Sequence, residues 1–577
     1  MAELYRPDTN LPRVPDDVNV AQFMLDEIHE ARPDRNDTPC LLENNSGRPV
    51  HLSELKERTY GLANGLSRKY SLGEKDIAML VSPNHIDYPV ALWAIHRLGG
   101  IVSCSNPQFT ADELVYQLKV VKVTVIIAHS AVLTTVLSAA QSAGVPSDCI
   151  ILLDEYVPQG FPRIPTVADL IADGLKQEQV FFERHLDVGE GKEKIALLCW
   201  SSGTTGNPKA VAISHYAFIA NILQMAVHQQ VDKPESLRDS RTYRPGDVVL
   251  GVLPFYHAAG ITICLHLTIF CSMTLVVVPK YDFTDMLNSI ARHRITHLIL
   301  VPPQAIAFCK NLFILKKYDL STIKFILIGA APVSQEVQEN MCSLFPAAQI
   351  GQAYGMTEMT TTIAMVSPTQ KRGLLGSGGR LLPGVEARVL KADGSLAVYG
   401  EPGELVVRGP AVALGYFHNE KATREIFIDG WVHTGDEVIL TQDQEVFVFD
   451  RLKELIKVRG FQVAPAELEG CLLSHPDVAD SCVIGFPDAY NGELPLAYVV
   501  LSQEATVRME RNCKELESTR ASIAKHVADR KARYKHLKAG IQFIDSIPKN
   551  GSGKILRRIL RDHAKRTLPQ EMIRARL

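Results

Sequence analysis

From residue 50 to about 445 the chain alternates short apolar runs with longer amphipathic stretches, and this β-α-β rhythm limits the fold more than any other feature. Ser53–Tyr70 reads as a helix, Asp76–Val81 as a strand, Tyr88–Leu98 as a helix and Gly100–Cys104 as a strand. Lys194–Leu198, Val248–Val252, Thr274–Val278, His297–Val301 and Lys324–Ile328 continue the strand pattern. Such alternation predicts parallel sheets covered by helices. Several of the strands end in Gly/Pro/Ser-rich turns, which is where open α/β sheets bind ligands. After about Asp436 the pattern changes. EVILTQDQEVFVFD predicts a hairpin, DRLKELIKVRG is basic, and a helix begins near Pro465. A charged helix is predicted around Arg508–His536, followed by a hairpin-like QFIDSI. The reading is therefore α/β: a large N-terminal domain of helix-covered sheets over 1–449 and a small α+β C-terminal domain over 450–577.

At 577 residues the chain exceeds what one hydrophobic core usually serves. With 61 basic against 64 acidic side chains, the net charge of −3 gives no global reason to bind nucleic acid or an anionic membrane. Eleven cysteines are scattered without a CxxC pair or zinc spacing, so free thiols in a reducing compartment are expected. The polar, proline-rich start, MAELYRPDTNLPRVPDD, resembles neither a secretory signal nor a transit peptide. Ile261–Val278 is the run most like a membrane span, but it carries His266 and several hydroxyls, so a buried helix–strand pair is predicted.

The strongest local signal is Ser201–Val211, SSGTTGNPKAV, directly after IALLCW. Its glycines let the backbone turn tightly and present N–H groups, while hydroxyls and Lys209 crowd the same spot, as a phosphate cradle requires. It is not a Walker loop, because Asn207 and Pro208 separate the last glycine from the lysine.

This segment resembles the signature loop of the adenylate-forming superfamily: acyl-CoA synthetases, firefly luciferases and peptide-synthetase adenylation domains. Asn207 and Ala210 depart from the usual Leu and Gly but remove no hydroxyl, loop glycine or lysine. Six further motifs follow in the family's order: LPFYHAAG (253–260), GAAPV (329–333), GQAYGMTE (351–358), HTGD (433–436), DRLKELIKVRG (450–460) and PKNGSGK (548–554). The pattern is most similar to 4-coumarate:CoA-ligase-like enzymes. The resemblance implies that ATP and AMP are held by Ser201, Ser202, Gly203, Thr204, Thr205, Gly206 and Lys209, then by Gln352, Ala353, Tyr354, Gly355, Met356 and Thr357. Asp436, Arg451, Lys453, Lys457 and Lys554 complete that set. It names Lys554, Lys457, Thr204 and Glu358 as catalytic, with Glu358 also the ligand for Mg²⁺. The acyl pocket would be lined by His257, Ala258, Ala259, Gly260, Ala330, Ala331 and Met365, and the CoA path by Lys280, Arg459 and Gly460. The C-terminal domain would be mobile about a hinge at Asp450, presenting Lys554 for adenylation and the Arg459–Gly460 face for thioester formation.

These assignments make chemical sense. A carboxylate must first gain a leaving group, and attack on the α-phosphate of ATP gives an acyl-adenylate and pyrophosphate. Both partners are anionic, so positive charge is needed where they meet. An acid:CoA ligase is expected, with a stand-alone adenylating enzyme or a luciferase-like enzyme as the alternative. Small residues at Ala258, Ala259, Gly260, Ala330 and Ala353 predict a roomy pocket for aryl-alkenoic, aryl-alkanoic or medium-chain hydrophobic acids. The tail Ala575-Arg576-Leu577 follows the pattern of the address read by the peroxisomal import receptor, so peroxisomal location is expected, otherwise the cytosol.

Overall fold

The computed structural model describes residues 4–568 apart from 155–163, 202–207, 234–241, 332, 452–453, 460, 489–490, 512–514 and 550–552. Among these residues three sheets organise the chain. The first runs Ile150–Leu152, Val125–Ala128, Ile77–Val81, Ile101–Ser105, β1 (Ile195–Ser201), β2 (Lys209–Ser214) and Gly415–Tyr416. Its pairs are parallel as far as β1 and antiparallel beyond. Ile77–Val81 and Val125–Ala128 are buried at every position, as strands covered on both faces must be.

The second sheet has fourteen strands and changes character halfway. Leu41–Glu43, Thr274–Val277, Val248–Gly251, His297–Leu300 and Phe325–Ile328 lie parallel to one another. β3 (Gln349–Gly355) belongs to both halves. Residues 349–352 pair in parallel with Phe325–Ile328, whereas Ala353–Gly355 pair antiparallel with β4 (Thr362–Met365). Beyond β4 stand Ser377–Leu381 and the antiparallel hairpin of β5 (Trp431–Leu440) and β6 (Glu445–Arg451), the latter beside Ser377–Leu381. One apolar cluster joins Val102, Cys199 and Val211 of the first sheet to Val249, Leu275 and Ile363 of the second through Trp93 and Phe218.

The third sheet is the core of the smaller C-terminal domain. The hairpin of β7 (Ile456–Val458) and β8 (Phe461–Val463) adjoins Gly492–Leu501, which pairs along its length with Val478–Asp488. α1 (Pro465–Leu473) and Glu515–Arg530 cover one face through Leu468, Leu472, Ile523 and Val527. α2 (Arg557–Thr567) covers the other through Leu560 and Ala564.

Two local expectations need correction. The charged stretch is helical over Gln503–Arg511 and Glu515–Arg530 but stops short of His536, where Arg533–Lys535 makes a short turn of its own. QFIDSI is not a hairpin arm, since Gly540–Phe543 is an edge strand lying parallel to Gly492–Leu501. The apolar run does give a buried helix–strand pair, but Gly260–Leu267 is wound as a π-helix. His266 is satisfied there, Nε2 accepting from Trp93 Nε1 at 3.1 Å and Nδ1 donating to the Ile261 carbonyl at 2.7 Å. No helix among the described residues is long and apolar enough to cross a membrane.

Candidate active site

The motif residues meet where the ends of β1, β3, β5 and β6 face the C-terminal domain. Glu358 lies in the short turn Thr357–Met359 after β3 and is buried. Its Oε1 accepts from Tyr416 Oη at 2.6 Å and from Ser201 Oγ, at the end of β1, at 3.3 Å. Lys209, opening β2, places its ammonium 4.8 Å from the Tyr416 ring centre. Burial beside the Glu358 carboxylate pushes the Tyr416 hydroxyl well above its ordinary range, so Tyr416 remains a donor. Sequence reasoning missed Tyr416. Nothing in one of seventeen tyrosines marks it as the partner of a distant glutamate.

Asp436 is held by the local geometry of its motif. Gly435 has φ +69°, a left-handed conformation suited to glycine, and its N–H donates to Glu404. Thr434 Oγ1 accepts from the Asp436 N–H at 3.1 Å and donates to the Leu405 carbonyl. The Asp436 carboxylate accepts from Tyr354 Oη at 2.6 Å, and Arg451 Nε stands 3.6 Å away. Asp436 and Arg451 are direct partners in the β5–β6 ladder. Burial raises the Asp436 carboxyl, while Arg451, Tyr354 and Lys554 work against that rise.

The turn after β3 is built on close approach. A Cβ on Gly355 would sit 1.6 Å from the Thr361 carbonyl oxygen, and one on Gly329 would sit 3.1 Å from that of Ala353. GAAPV and GQAYGMTE therefore abut. Gln352 is buried and donates to Gln338, while Ala353, Met356 and Thr357 are partly buried and Gly355 is exposed. Ala330 and Ala331 are exposed, the former at φ +73°.

Lys554 comes from the C-terminal domain. Burial, followed by Arg451, lowers its ammonium to about 8, against opposing pulls from Asp436, Glu454 and Glu358. The adjoining Gly553 lies against Val301, whose Cγ2 would be 3.2 Å from a Cβ there. The same ammonium, after burial, helps lower His257 to about 4. His257 is thus neutral near pH 7, with Nδ1 accepting from the Ala259 N–H at 3.3 Å. Ala258 and Gly260 are buried and Ala259 is partly buried.

Not every expected residue joins this group. β7 buries Ile456 and Val458, so its two-residue period turns Lys457 outward to solvent, away from an adenylation role in this arrangement. Arg459 is also exposed, at φ +48°, with its N–H donating to the Asn491 carbonyl at 2.8 Å. Lys280 is exposed beyond Thr274–Val277. Met365 shows no accessible surface, paired on β4 with Ala353 on one side and Arg380 on the other. Ser202, Gly203, Thr204, Thr205, Gly206, Lys453, Gly460 and the tail 575–577 lie outside the described residues.

Comparison with known proteins gives the family. Residues 29–417 match the AMP-binding enzyme family and residues 467–554 match the AMP-binding enzyme C-terminal domain. 4-Coumarate–CoA ligase 5 of Oryza sativa subsp. japonica is 34% identical over 550 residues, covering 93% of each chain. An acyl-CoA ligase of Cordyceps militaris is 32% identical, covering 95% of this chain and 88% of its own. Among solved structures, o-succinylbenzoate CoA synthetase from Bacillus subtilis with its acyl-adenylate intermediate has a TM-score of 0.72 at 26% identity, over 91% of this chain and 96% of that one. The chain belongs to the AMP-binding enzyme family, whose members form adenylates.

Proposed function

We infer that the chain is an ATP-dependent acid:CoA ligase, joining a carboxylic acid to AMP with release of pyrophosphate and then passing the acyl group to coenzyme A with release of AMP. The observation that carries this reading is the place of Lys554, a cation from the C-terminal domain set near Arg451 and near Asp436 and Glu358, carboxylates of the other domain. In this proposal Asp436 accepts the ribose hydroxyls, Ser201, Lys209 and the loop after β1 hold the phosphates, and Tyr354 lines the adenine side. Lys554 stands where the acid and the α-phosphate meet and offsets their repulsion. His257, neutral and without a proton on Nδ1, positions the acyl group rather than acting as a cation.

Magnesium is part of the proposal. Glu358 has one oxygen engaged by Tyr416 and Ser201, and no group of three His, Cys, Asp or Glu among the described residues could hold a metal. That donor set fits Mg²⁺, which binds through one or two carboxylates with substrate phosphates and water completing its shell. The bound ion would supply charge neutralisation on the triphosphate.

The substrate class proposed is an aryl-alkenoic, aryl-alkanoic or medium-chain hydrophobic acid, supported by the small residues Ala258, Ala259 and Ala353. Lys280, Arg459 and Lys457 are proposed to serve the CoA step after the C-terminal domain has turned. We also propose that Ala575-Arg576-Leu577, presented at a C-terminus, is read by the peroxisomal import receptor; a fluorescent protein ending in this tail should be punctate, and a diffuse signal would refute it. The enzymatic reading is tested with a panel of acids assayed for AMP release with and without CoA. CoA-dependent AMP release and a thioester product are expected; an adenylate that CoA leaves untouched would favour another acceptor.

A further inference from the structure

One charge cluster has no assigned place in the chemistry above, although its Glu454 also pulls on Lys554. Arg557 opens α2, three residues after Lys554, and is largely buried with the acids it binds. Its Nη1 donates to Glu454 Oε2 at 2.7 Å, and its Nη2 donates to both oxygens of Glu469, at 3.0 and 2.7 Å. Glu469 is pinned from behind by the Val483 N–H at 2.8 Å. The nearby guanidinium also opposes the burial that pushes Asp450 up to about 6. These acids arrive from β6, from the segment just after it and from α1, so one side chain gathers the domain junction and the root of the lysine loop. The loop is closed there by a Leu556 N–H to Pro548 carbonyl bond of 2.8 Å and a Lys549–Ile555 bridge. Lys549 adds a 2.5 Å ion pair to Asp480.

A buried ion pair is a poor source of stability, because desolvation offsets most of the attraction, whereas its bidentate geometry fixes direction. We propose that Arg557 is a positioning residue for adenylation: it ties the root of the Lys554 loop to Glu454 and Glu469, and so sets where the Lys554 ammonium enters the cleft. The inference rests on the adenylating role proposed for Lys554.

The test uses the full chain with Arg557→Gln and Arg557→Lys. Because a lone Gln strands two buried carboxylates, the triple change Glu454→Gln, Arg557→Gln, Glu469→Gln is made beside them. Each is assayed for adenylate formation from ATP with an acid the wild type accepts, and for thioester formation from supplied acyl-adenylate. A misplaced group costs about 100-fold, so the Gln variants should lose about that in adenylation kcat, with KM for ATP and the thioester step within about threefold. Arg557→Lys should recover about tenfold of the loss, since one of the two acid contacts survives. Equal loss in both half-reactions, a change confined to KM, or adenylation within about threefold of wild type would overturn the proposal. A wild type that forms no adenylate with any acid would sink the functional reading itself.

Discussion

A lysine lowered to about 8 sits close to working pH, and its charge is what adenylation is proposed to need. The ammonium predominates below that value and is lost as pH rises through it. In the free enzyme, kcat/KM for ATP in adenylation should therefore fall on the alkaline side of about 8. Lys554→Arg should be slower but flat across that range, because a guanidinium stays charged to above about 12. A wild-type profile flat to pH 10 would sink the assignment. Tyr416 offers a second test at this scale. Tyr416→Phe strips a donor from a buried carboxylate, at a cost of about 1–3 kcal/mol. Adenylation should fall and require more Mg²⁺ for half-maximal rate, and an unchanged Mg²⁺ dependence would show that Tyr416 does not orient Glu358. Lys554 was legible from its motif, but Tyr416 and Arg557 were not. Their roles arise from contacts with residues far away in sequence, and no local pattern records those.

Elements explain why the motifs read as they do. GQAYGMTE lies where β3 changes from parallel to antiparallel pairing, and its register shifts between Tyr354 and Gly355. That shift needs room beside Thr361. Gly355→Ala would force the backbone apart there and should cost about 1–3 kcal/mol in chemical denaturation, the usual range for overpacking. A loss under about 0.5 kcal/mol, ordinary for a surface change, would show that the turn yields easily. Period and turn chemistry located seven buried strands, each starting within a residue of its place, since buried parallel strands leave unbroken apolar runs. In the C-terminal domain they found the helix at Pro465 but failed further on. Charge continues past Arg530 and hid where Glu515–Arg530 ends, and an edge strand such as Gly540–Phe543 has no apolar run to announce its partner.

At the level of the whole molecule, the arrangement gathers Lys554 with Asp436 and Glu358 while Lys457 and Arg459 face solvent. One arrangement thus accommodates the first half-reaction and leaves the proposed CoA residues outside it. Lys554→Ala should cut adenylation by about 100-fold or more, as loss of a preorganised charge does, and leave thioester formation from supplied acyl-adenylate within about threefold. Parallel loss of both steps would refute the division of labour. The ladder between β5 and β6 adds a mechanical consequence. Asp436 faces Arg451 across it, one residue past the proposed hinge at Asp450. A swivel beginning there has its fulcrum beside the nucleotide and its longest lever arm at the lysine loop. The reacting intermediate could stay parked at the still centre while the tools around it are exchanged.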